Sequence, residues 1–159
     1  MKLIRADKDN FVFAFGRREK RLLFELLKLY PLVPVSHHRL SRSAKIGKDD
    51  ENQRLLEESL AAQRQENKRQ VLAMLHEPGR FKETESGFRF ALSPPQMDWL
   101  LQVLNDVRVG SWIALGSPDT EAGEKILVND ETAPHYWVME AAGFFEMALV
   151  EALSGQLPG

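Results

Sequence analysis

Two segments, 94–115 and 133–153, constrain the fold most, because each is long, helical in its spacing and apolar over most of its circumference. In the first, Trp99, Leu100, Val103, Leu104, Val107 and Leu115 recur at intervals that gather side chains on one broad face of a helix. Ser93 and Pro94 mark its start, a capping hydroxyl followed by a proline in the first turn, where a missing N–H costs nothing. In the second, Tyr136, Trp137, Met139, Phe144, Phe145, Met147, Leu149, Val150 and Leu153 follow Thr132, the expected cap. A helix apolar nearly all round belongs at the centre of a fold or in a subunit interface. The two helices are therefore expected to lie against one another in the middle of the molecule.

The remaining elements follow from local signals. Leu3-Ile4-Arg5 and Phe11–Phe15 flank the turn formers Asp7-Lys8-Asp9-Asn10, which reads as a β-hairpin. Gly16 breaks that strand, and Arg17 to Tyr30 carries Leu22, Leu23, Leu26 and Leu27 at helical spacing until Pro31 ends it. A further helix is expected from Asp49-Asp50, both good capping residues, to about His76, where Pro78-Gly79 stops it. On its apolar face Gln63 and Asn67 interrupt Leu56, Leu60, Val71 and Met74. Either the two amides are buried and satisfied, or the middle turns are solvated while both ends pack. Arg80–Glu83 and Phe88–Leu92 bracket a second hairpin turn, Thr84-Glu85-Ser86-Gly87. The expected fold is α+β and helix-dominated, a single domain over 1–159 with about four helices and one or two small β-hairpins at its edge. Residues 31–48 form a basic loop and 117–132 an acidic connector.

A chain of 159 residues is long enough to bury one sizeable core, and 43% hydrophobic with 28% charged residues is the composition of a globular protein. It has no cysteine, which excludes a disulfide scaffold, a thiolate zinc site and a cysteine nucleophile. Neither a signal peptide nor a membrane span is apparent, so a cytoplasmic protein without a membrane partner is expected.

The net charge of −2 conceals a separation. Residues 16–48 hold nine Lys and Arg against Glu19 and Glu25, a surplus of seven positive charges; residues 78–159 hold five basic and twelve acidic side chains, a surplus of seven negative ones. Within the basic stretch, Arg39, Arg42, Lys45 and Lys48 recur every three residues after His37 and His38. Such a segment either docks on the acidic half of its own fold or meets an acidic protein partner. A third reading is neutralisation of nucleic-acid phosphates without reading sequence. No stacking aromatic is interleaved, and no helix-turn-helix or zinc-finger pattern is present.

On the 94–115 helix, Asp98, Leu101, Asn105, Arg108 and Trp112 form a seam at alternating spacings of three and four. Arg108 lies between apolar neighbours and requires a partner, and Glu146, on an apolar side of the last helix, is the natural one. A structural polar network of Asp98, Asn105, Asp106, Arg108 and Glu146 is expected, with Asn105 adding a hydrogen bond to the Arg108–Glu146 pair. The same residues, if open, would form a ligand pocket at Asn105, Asp106 and Arg108, which is the only enzymatic reading the chain offers. No metal site, cofactor motif, nucleophile elbow or phosphate loop is found. The leading expectation is a non-enzymatic interaction or regulatory module, with polyanion binding through 36–48 as the alternative. The last helix has more apolar surface than one neighbour covers, so a homodimer is a further expectation.

The run Met97-Asp98-Trp99-Leu100-Leu101-Gln102-Val103-Leu104-Asn105-Asp106-Val107-Arg108-Val109 resembles the signature of a bacterial family known as domain of unknown function number two thousand and seventeen. The likeness extends more loosely to the apolar run of the first helix, and to Arg39-Leu40, Asp49-Asp50 and Arg64. It departs from actinobacterial members in the basic loop and the acidic connector. Those members commonly sit beside a Clp-protease adaptor gene, and the resemblance thus implies an adaptor or regulatory role.

Overall fold

The computed structural model describes residues 1–34 and 48–155. Four strands, β1 (Lys2–Ala6), β2 (Phe11–Phe15), β3 (Phe81–Thr84) and β4 (Gly87–Leu92), form one antiparallel sheet in the order β1-β2-β4-β3. Both expected hairpins form. They join through β2 and β4, with Phe13 opposite Phe90 and Phe11 opposite Leu92. Alternation explains the join: Phe11, Phe13 and Phe15 on one strand and Phe90 and Leu92 on the other point to the same side and are buried. A two-stranded ribbon cannot stabilise itself in water, and pairing two ribbons makes a face wide enough for helices to cover.

The helices are α1 (Arg17–Lys28), α2 (Lys48–Leu75), α3 (Pro94–Ala114) and α4 (Ala133–Ser154). At the start of α3 a reciprocal cap forms. Ser93 Oγ accepts from Gln96 N–H (3.4 Å) and Gln96 Oε1 accepts from Ser93 N–H (2.9 Å). Gly16 and Glu19 make one half of that arrangement at α1, where Gly16 N–H donates to Glu19 Oε1 at 3.0 Å. Thr132, the expected cap of α4, is used otherwise. Its hydroxyl donates to the Leu127 carbonyl (2.6 Å) and accepts from Asn129 N–H (2.8 Å), closing the end of the acidic connector.

The position of α4 corrects the expectation of two equally central helices. Helix α3 is the core helix, with Met97, Leu100, Val103, Leu104 and Val107 buried along its length. Helix α4 packs on it more extensively than any other pair of elements, yet buries only Ala142, Phe145, Leu149 and Ala152. Its other side is open. Helix α2 is the second departure. Val71, Met74 and Leu75 near its C-terminus enter the core, whereas none of its residues from 50 to 70 is fully buried among the described residues. Its two ends do not pack alike: Leu56 and Leu60 are half-buried and Leu55 is exposed.

Candidate functional site

The seam on α3 splits into two separate arrangements. Asn105 and Arg108 face α4. Arg108 Nε donates to Glu146 Oε1 at 3.2 Å, and Arg108 Nη2 donates to Asn105 Oδ1 at 3.0 Å. Arg108 is 44% exposed and Glu146 16%, so the pair stands at the lip of the α3–α4 interface and the guanidinium is more solvated than its angular position suggested. Trp112 continues the seam, its indole N–H donating to the Pro118 carbonyl at 3.0 Å. Asp98 is exposed and makes no hydrogen bond or ion pair with these groups.

Burial raises the pKa of the Glu146 carboxyl, more than the Arg108 guanidinium beside it lowers it. The folded chain therefore holds that proton more tightly than the unfolded chain does. Stability contributed by this group rises as pH falls through the window between the ordinary glutamate value and the raised one, and is lost as pH rises through it. Glu146→Gln is thus expected to match or exceed the native protein in urea melts at pH 7, with its relative advantage shrinking as the medium is acidified. Arg108→Ala should cost about 1 kcal/mol, the scale of a solvated pair. A Glu146→Gln chain less stable at neutral than at acidic pH, relative to native, would show the opposite sign.

Asp106 faces the other way. Its Oδ1 accepts from the backbone N–H of Leu32 (2.6 Å) and of Val33 (3.2 Å). Its Oδ2 lies 3.8 Å from Arg64 Nη2, at side-chain exposures of 12% and 11%. Arg64 Nη1 also donates to the Val33 carbonyl. One turn on, Gly110 lies against the same segment: a Cβ there would stand 2.6 Å from Leu32 Cβ and 2.8 Å from the Leu32 carbonyl carbon. Along α2, Asn67 Nδ2 donates to Tyr30 Oη (3.5 Å) and Lys68 Nζ to the Lys28 carbonyl (3.2 Å). The polar middle of α2 is therefore neither a buried amide pair nor simply solvated. Arg64, Asn67 and Lys68 hold the chain between α1 and Pro34, while Gln63 is exposed.

Sequence reasoning grouped Asp106 with Arg108 and missed its pairing with Arg64. The only signal was the glycine four residues after the aspartate, which marks a close backbone approach. Among the described residues, Asn105 and Arg108 turn toward α4 and Asp106 toward Leu32, Val33 and Arg64, so the alternative of one pocket shared by all three is not what their contacts describe. Among the described residues there is no cluster of three metal-ligating side chains.

His37, His38, Arg39, Arg42 and Lys45 lie outside the described residues, and Lys48 opens α2. Among the described residues, one ion pair joins the basic stretch to the acidic one, Arg17 to Glu83 at 3.2 Å between exposed side chains. Beside it, a groove of about 470 Å³ is lined by Arg17, Lys20, Arg21, Phe24, Leu75, His76, Phe81 and Phe88. The Lys20 ammonium already covers its rings, 4.1 Å from the Phe88 centroid and 4.8 Å from that of Phe81.

The outer face of α4 is the surface the fold leaves unexplained. Trp137, Phe144, Met147 and Val150 are 49–64% exposed. With Glu140 and Glu151, also exposed, they occupy a sector of about 140° at 3.6 residues per turn. The family model for a domain of unknown function, DUF2017, matches residues 38–153. The chain belongs to the DUF2017 family. The DUF2017 span takes in α2, β3, β4, α3 and all but the final residue of α4, together with Arg64, Asp106, Gly110 and the open face of α4. It leaves out β1, β2 and α1, which complete the sheet and the core here. No curated protein and no solved structure matches the chain. No helix among the described residues is long and apolar enough to cross a membrane.

Proposed function

We propose that this DUF2017 protein is a non-enzymatic interaction module that docks a partner on the outer face of α4, and that the partner is an amphipathic segment bearing basic side chains. The observation that carries this reading is the contiguous row Trp137, Phe144, Met147 and Val150, large apolar side chains open to solvent on one helix. Contiguous exposed apolar surface on a single subunit marks a binding site more often than chance exposure does.

The charge on the same face selects the partner. Helix α4 has no Lys or Arg, and Glu140 and Glu151 stand within the apolar row. An antiparallel second copy centred between positions 145 and 146 would set Glu140 against Glu151 twice. A parallel copy would set each glutamate against itself. Both place carboxylate opposite carboxylate, whereas a partner with cations at those positions gains complementary charge and fixed register. This disfavours the homodimer that the apolar surface alone suggests. An acidic partner for segment 36–48 is a separate expectation resting on its charge.

The test uses Trp137 as reporter and a synthetic helical peptide with a leucine seam flanked by lysines. Saturable blue-shifted emission is expected, lost in Trp137→Phe, with Phe144→Asp reducing affinity tenfold or more. The same peptide with glutamates for lysines should bind at least tenfold more weakly. Equal binding of both peptides, binding of neither, or a dimer by light scattering that Phe144→Asp dissociates would overturn the basic-partner reading.

A further inference from the structure

The second face of the sheet is also open, and its charge differs in kind from that of α4. The ladder register places Lys2, Ala14, Arg89 and Lys82 in one row across the four strands, and Arg5, Val12 and Ala91 in the next. Lys2, Arg5, Lys82 and Arg89 are exposed. The outward positions on the four strands are basic, small or apolar apart from Thr84, and none is acidic. Glu83 projects to the helical side, where it meets Arg17. The acids at the rim are engaged or lie in turns: Glu19, which shares a groove with Lys2 and Arg89, is held by the Met1 ammonium and the Gly16 N–H; Asp7 accepts from the backbone N–H of Asp9 and Asn10 in the β1–β2 turn, Glu77 pairs with Arg80, and Glu85 lies in the β3–β4 turn. Arg80 is itself tied to the Ala91 carbonyl at 2.8 Å and contributes at the edge.

Two features argue that this face receives an anion rather than being merely solvated. Lys82 and Arg89 are direct cross-strand partners, and like charges at that position oppose pairing. Neither side chain has a hydrogen bond or ion pair among the described residues, so the repulsion is not relieved within the fold. Between them and Arg5 lies a groove of about 500 Å³, floored by Val12, Gly79 and Ala91 and rimmed by Ile4, side chains small enough to let a ligand backbone approach. Adjacent strands are about 4.8 Å apart, so the row from Lys2 to Lys82 spans roughly 14 Å. That matches an extended polyanion crossing the strands better than a single small anion.

We propose that the open face of the β1-β2-β4-β3 sheet binds the phosphate backbone of a nucleic acid, with Lys2, Arg5, Lys82 and Arg89 as the phosphate-contacting groups. No aromatic side chain faces outward there, so bases are not stacked and the contact is sequence-tolerant. This surface is separate from the outer face of α4, and it stands or falls independently of the docking proposed there.

Fluorescence anisotropy of a labelled oligothymidylate, titrated against the full chain over a range of salt, tests it. Binding at low salt that weakens steeply with added salt is expected. Lys82→Ala/Arg89→Ala should lose tenfold or more in affinity, and the slope of log affinity against log salt should fall by about 1.4 for a single strand or about 1.8 for a duplex. Oligothymidylate is single-stranded, so the smaller value is the one expected for this probe. Both side chains are exposed, so a thermal melt should be unchanged. If it is not, Lys2→Ala/Arg5→Ala on the neighbouring strand must show the same loss. Absence of binding at low salt, unchanged affinity and slope in both double variants, or equally tight binding of polyglutamate would overturn the proposal.

Discussion

Asp106→Ala is expected to lower stability by about 3–5 kcal/mol, the cost of breaking a buried ion pair from one side. In a chain of this size that lowers Tm by roughly 10 °C. The N–H groups of Leu32 and Val33 lose their acceptor together, and the Arg64 guanidinium loses its carboxylate counter-charge while keeping the Val33 carbonyl. Because both side chains are nearly nine-tenths buried, water cannot replace the carboxylate at low cost. Asp106→Asn keeps one acceptor oxygen and should cost less. Arg64→Ala should couple to Asp106→Ala in a double-mutant cycle of urea melts, since each removes the other's partner. Additive losses, or an Asp106→Ala chain as stable as native, would show that the pair contributes nothing specific.

Gly110→Ala is the second large effect. In an ordinary helix interior the change stabilises by about 1 kcal/mol, because alanine loses less backbone freedom than glycine. Here the new methyl would stand 2.6 Å from Leu32 Cβ, 2.8 Å from the Leu32 carbonyl carbon and 2.9 Å from Val33 N. Two of those three atoms are backbone, so the 31–33 segment must move as a whole. Overpacking of that kind costs about 1–3 kcal/mol. Displacing the segment also stretches the bonds that Asp106 makes to it, so the net is expected to be a loss of about 2 kcal/mol or more. The combination with Asp106→Ala should be less than additive, because both release the same stretch of chain. A Gly110→Ala protein that melts above native would mean that the segment gives way freely.

The helices, the strands and Ser93 as the cap of α3 were legible because each rests on contacts close in sequence. Ser93 and Gln96 are three residues apart, and the alternation in Phe11–Phe15 is visible in five letters. The Arg108–Glu146 contact was legible in part. A cation and a carboxylate on apolar helix sides have few alternatives, although their depth depends on how far α4 overlaps α3. The Arg64–Asp106 hub was not legible. Its members lie 42 positions apart and join only because the 31–33 segment passes between α2 and α3. Asn67 looked like an interruption of an apolar face for the same reason, since the Tyr30 hydroxyl it meets belongs to a distant part of the chain.

The one-dimensional pattern determined what each segment is: which stretches are helical, where they start and stop, that residues 16–48 and 78–159 carry opposite charge, and that the chain belongs among helix-rich α+β proteins. Those properties come from periodicity and from dihedral preferences that operate over a few residues. Only the tertiary structure decided which apolar face is covered. Helix α4 is greasy all round, and nothing in its letters says that α3 shields one side and leaves Trp137, Phe144, Met147 and Val150 in water. Likewise the basic groups of β1, β3 and β4 become a single surface only when two hairpins zip together and their registers align. Burial and cross-strand neighbours are properties of the packed molecule, because they depend on elements brought together from distant parts of the chain.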